Sequence, residues 1–83
     1  MNLQITYRIV NEFDAPRNEG HVLVFRRVGG EEKQWDMIRP PFSRRSGFAS
    51  EDDARTAIDR AIRADKAAAT RLGITLTVST EGG

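Results

Sequence analysis

"SEDDARTAIDRAIRADKAAATRLG", residues 50–73, decides how the rest of this chain must fold. Ser50 stands directly before three acids, Glu51, Asp52 and Asp53. A serine hydroxyl there can accept from the free N–H groups of a first helical turn, and carboxylates in that turn oppose the positive end of the helix dipole. Asp53 occupies the capping-box position. Ala54, Ala57, Ile58, Ala61, Ile62, Ala69 and Leu72 recur at the spacing that lays one apolar stripe along a helix. Arg71 falls in the last turn, and Gly73 supplies the left-handed stop. The spacing predicts one helix over 51–72, ~33 Å long at 1.5 Å per residue. A strand of eight residues spans about 27 Å, so one such helix can lie across a whole sheet face.

Upstream of the helix the period changes from 3.6 to 2. In "LQITYRIV", residues 3–10, Leu3, Ile5, Tyr7 and Ile9 alternate with Gln4, Thr6 and Arg8, the pattern of a half-buried strand. Residues 11–20, with Pro16, Asn18 and Gly20, read as a loop. "HVLVFRRV", residues 21–28, is a second strand with apolar groups on both faces. Gly29 and Gly30 can supply the positive φ of a turn into a third strand, "QWDMIR", residues 34–39. Pro40 and Pro41 end it. Beyond the helix, "ITLTV", residues 74–78, alternates again, and residues 79–83 read as a flexible tail.

The expected architecture is α+β in the order β-β-β-α-β. It is a mostly antiparallel sheet of three to four strands with one long helix on one face. The last strand returns parallel to its neighbour, beside the first strand at the sheet edge. One facing puts Leu23, Phe25, Trp35 and Met37 under the helix; the alternative register turns the smaller residues inward instead. Under the first, the one expected, Val22, Val24, Val28 and Ile38 are left on the open side, where contiguous apolar groups mark a protein contact or a homodimer interface.

The 83 residues make one domain, 1–83, with a small core. The absence of cysteine points to a reducing, cytoplasmic compartment. No signal peptide and no run of apolar residues long enough for a membrane span is visible. The 13 basic and 12 acidic residues leave a net charge of +1, unevenly spread. Residues 1–20 carry two basic and three acidic groups, residues 21–49 six and three, and residues 50–83 five and six. The basic middle third holds Arg26, Arg27, Arg39, Arg44 and Arg45, which with the stacking surface of Trp35 or Phe42 form a candidate nucleic-acid contact. Most of the basic residues are Arg, a bias that a GC-rich bacterial genome also produces.

A basic three-strand meander containing a Trp, followed by Phe48, Ser50, Asp53 and Ala54 in an F-x-S-x-x-D-A pattern, resembles the small DNA-binding modules of the AP2 and integrase arm type, and similar bacterial domains of unknown function. The resemblance spans residues 21–70. It implies that the open sheet face meets the major groove. Under the expected facing it holds Val22, Val24, Arg26, Gln34, Asp36 and Ile38.

Enzymatic chemistry has no visible carrier. His21 is the single histidine, which with no cysteine argues against a zinc site. The acids at 51–53 lack the spaced oxygens of a calcium loop. No phosphate-binding glycine loop or nucleophile elbow is present, and no cofactor is implied. The sequence therefore points to a binding module, with a protein partner or second copy first and nucleic acid as the alternative.

Overall fold

The computed structural model describes residues 2–11, 22–41 and 47–81. Strands β1 (Asn2–Asn11), β2 (Val22–Val28) and β3 (Asp36–Ile38) precede helix α1 (Glu51–Leu72), and strand β4 (Thr75–Glu81) follows it. The four strands form one sheet in the order β3-β2-β1-β4. β1 and β2 pair antiparallel, as do β2 and β3, while β4 lies parallel to β1. The sheet is therefore mixed, with the returning strand at the edge beside β1. β4 runs on through Ser79 to Glu81, where the sequence suggests a loose tail. Pairing with Tyr7 and Arg8 extends it. The third strand is shorter than its alternation suggests, three residues in length.

Both ends of α1 carry the expected caps. The Ser50 Oγ accepts from the Asp53 backbone N–H at 3.1 Å. Gly73 adopts φ 69° and donates its N–H to the Thr70 carbonyl at 3.3 Å, and Ile74 donates to Ala69 at 2.9 Å. This Schellman pair satisfies two orphan carbonyls and turns the chain directly into β4. Gly29, at φ 105°, leaves β2 by donating to the Gln4 carbonyl at 2.8 Å. The positive φ is what calls for glycine, since a Cβ there would meet only the side chain of the exposed Lys33, 2.9 Å from its Cγ.

The core joins Ile5, Tyr7 and Ile9 of β1, Val22 and Val24 of β2, Phe48, and Ala54 and Ile58 of α1. This reverses the expected facing of β2 and β3. Val22 and Val24 are 1% and 0% exposed, and Val28 and Ile38 pack against the same cluster under the helix. The cause is register. β1 has one strongly apolar side, and antiparallel pairing sets Val24 opposite Ile9 and Val28 opposite Ile5. Residues paired directly share a face, so the valines follow Ile5, Tyr7 and Ile9 inward. Leu23, Phe25 and Met37 consequently lie on the other side. Phe48 bridges to Val22 through reciprocal backbone bonds of 3.2 and 2.7 Å, which fixes the helix entry against the sheet.

Candidate binding face on the open side of the sheet

Strand pairing assigns the residues of the face turned away from α1. Thr6, Arg8 and Val10 come from β1, Leu23, Phe25 and Arg27 from β2, Met37 from β3, and Thr77, Ser79 and Glu81 from β4. Two cross-strand rows make its apolar part: Val10 opposite Leu23, and Phe25 between Arg8 and Met37. Met37 is 40% exposed, while Val10, Leu23 and Phe25 are half-buried. No helix among the described residues covers this side.

Trp35 is tied to the same face by two cations. The guanidinium carbon of Arg8 lies 4.3 Å from the ring centroid and that of Arg27 lies 4.4 Å away. Both distances fall within cation–π range. Arg8 also bonds Glu81 through Nη2 at 2.8 Å and Nε at 2.9 Å. Indole, two guanidinium groups and a carboxylate thus form one connected group across β1, β2 and β4. Thr6 and Arg27 are direct cross-strand partners, and Thr6 Oγ1 and Arg27 Nε are buried without a hydrogen bond.

The neighbouring Arg26 has the opposite fate. It points to the helix side, where its Nη2 donates to Asp65 Oδ1 at 2.8 Å. Its Nε lies 3.3 Å from the Tyr7 hydroxyl, which in turn donates to Asp65 Oδ2. Burial, and then the hydrogen bond to Asp65, push the Tyr7 phenol up to about 12. A phenol held neutral in this way is neither a base nor a nucleophile near neutral pH. Desolvation works against the Arg26 charge, but the Asp65 and Tyr7 bonds outweigh it and raise its pKa. The trio binds α1 to β1 and β2.

The structure thus divides the residues singled out in the sequence. Arg27 and Trp35 meet on the open face; Arg26 is drawn beneath the helix; Arg39 is exposed just past β3. Arg44 and Arg45 lie outside the described residues, as does His21. Val22 and Val24 are core residues, and Val28 and Ile38 are partly buried against the same core on the helix side, so none of the four lies on the open face. Sequence reading missed Arg8, Val10, Leu23, Phe25 and Met37 as surface partners. The usable signal was the polar side of β1, where Arg8 alternates with the core residues Tyr7 and Ile9. Among the described residues no group of His, Asp or Glu is placed to hold a metal ion, and no helix is long and apolar enough to cross a membrane.

No protein-family model matches the chain, and no curated protein and no solved structure matches it either.

Proposed function

We propose that this chain is a small non-enzymatic binding module of the cytoplasm that engages a protein partner, another chain or a second copy, through the open face of its sheet. One observation carries the reading. Val10, Leu23, Phe25 and Met37 form an uninterrupted apolar patch beside Trp35, which Arg8 and Arg27 hold in place. Aromatic residues, Met and Arg are the types enriched at the centres of protein interfaces, and Lys and Glu are depleted there. Trp and Arg also dominate binding hot spots.

A second reading, nucleic-acid binding in the manner of the AP2-like modules, draws on the pair of guanidinium groups at Trp35 and on the exposed Arg39. Its electrostatic share is reduced, because Glu81 already engages Arg8 and Asp65 engages Arg26.

A photo-crosslinking residue placed at Met37, with a control at the exposed Arg63 on α1, separates the readings in cells. Discrete protease-sensitive adducts at position 37 and none at position 63 are expected. Nuclease-sensitive adducts would transfer support to the second reading. Equal labelling at the two positions would sink both.

A further inference from the structure

We propose that the outer edge of β4 joins two copies of this chain, strand to strand and antiparallel, into one continuous sheet. This contact uses the backbone edge of β4 rather than the apolar part of the open face around Leu23 and Met37, and does not depend on that part. β4 is an edge strand of seven residues, and no described residue pairs with its outer side. Natural edge strands are shielded by lysine, proline, bulges or short length. The sequence "TLTVSTE" has neither lysine nor proline, and its single charge, Glu81, is engaged by Arg8 of the same chain. The opposite edge, β3, is protected by being three residues long and ending near Pro40 and Pro41.

The strand is complementary to itself. Full overlap of residues 75–81 about a two-fold axis places Val78 against Val78 of the second copy. Thr77 then meets Ser79, Leu76 meets Thr80, and Thr75 meets Glu81, so no like charges oppose each other. The helix completes the match. Val78 lies five residues beyond Gly73, about 16 Å along an extended strand. Eleven residues of helix cover the same distance at 1.5 Å each, which brings Ile62 level with Val78. The cleft shared by Ile58, Ile62 and Thr80 agrees with this alignment. Asp59 and Lys66 stand one turn to either side of Ile62 on that flank of α1, and neither forms an ion pair among the described residues. Antiparallel copies bring Asp59 of each toward Lys66 of the other. Both helices then lie on one side of the joined sheet and both Trp35 groups on the other.

Light scattering over micromolar to millimolar concentration tests the contact, with circular dichroism confirming each fold. The unmodified chain is expected to reach twice its 9.3 kDa mass. The double variant T77K/S79K sets lysine against lysine twice across the axis and is expected to halve that mass. The variant T77K/S79E sets lysine against glutamate in the same register and is expected to restore it. Both positions are exposed, so the fold itself tolerates them. Leu23→Glu with Met37→Glu, on the open face, is expected to leave the dimer intact. A monomer throughout the concentration range, or a dimer indifferent to T77K/S79K, overturns the proposal. Dissociation by the Leu23 and Met37 changes alone would place self-association on the open face and overturn it as well.

Discussion

Adjacent residues on β2 point to opposite sides of the sheet, and Arg26 and Arg27 show what that does to two identical groups. Arg26 is spent on Asp65 and Tyr7 inside the fold; Arg27 leans on Trp35 outside it. Arg26→Ala is expected to lower stability by about 2 kcal/mol, because Asp65 would lose its cation in a half-buried setting. Tyr7→Phe removes the hydroxyl's bonds to Asp65 and Arg26 and leaves the ion pair, at about 1 kcal/mol. Denaturant titration of the two variants checks the order. The phenol also makes a pH prediction. Its folded pKa, about 12, stands above the ordinary 10. The native state therefore binds this proton more tightly than the unfolded chain does. The stabilisation is complete below pH 10 and disappears as pH rises through the folded value. Tyr7 is the single tyrosine, so ultraviolet absorbance of tyrosinate during a pH titration reports it without overlap from another phenol. Ionisation at the ordinary pKa in the folded chain would contradict the buried geometry.

At the scale of elements, local chemistry explains where α1 starts and stops. Ser50→Ala is expected to cost about 1 kcal/mol through the lost N-cap bond. Gly73→Ala meets no atom within 4 Å, so its cost, about 1 kcal/mol, comes from the left-handed backbone alone. For a domain of this size each loss lowers Tm by roughly 4–8 °C, which calorimetry resolves. The helix and the order of elements were legible in the sequence because caps and period are local signals; the parallel return of β4 came from the crossover rule, and its place beside β1 is given by the pairing. The facing of β2 was not legible. Val22 to Val28 is apolar on both sides, so alternation there carries no sign, and only its register with β1 chooses. The candidate site inherited that ambiguity: Arg27 and Trp35 were legible as candidate residues but not as a pair, since Trp35 was expected under the helix, and Arg8 joins them only through pairing across the sheet. A matched pair of substitutions tests the orientation. Val24→Glu should unfold the chain, since that position is 0% exposed, whereas Leu23→Glu should change stability by no more than about 1 kcal/mol. Thermal melts showing equal losses would contradict the assigned face.

At the scale of the whole molecule, one helix closes one side of a four-stranded sheet, and among the described residues the other side carries Trp35 and its cations with no helix over it. An interface built on Val10, Leu23, Phe25 and Met37 should hold nearly constant affinity as salt rises. Contacts to nucleic-acid phosphates should instead weaken with a log–log slope of about −0.9 per phosphate on duplex DNA. The salt dependence of binding to any crosslinked partner therefore distinguishes the forces at work. The sheet also ties β1 to β4, the first strand to the last. A ribosome delivers β1 long before its second neighbour exists. One flank of Ile5 and Tyr7 must wait, unpaired, until β4 emerges, so the nascent sheet is completed only after the helix has been made.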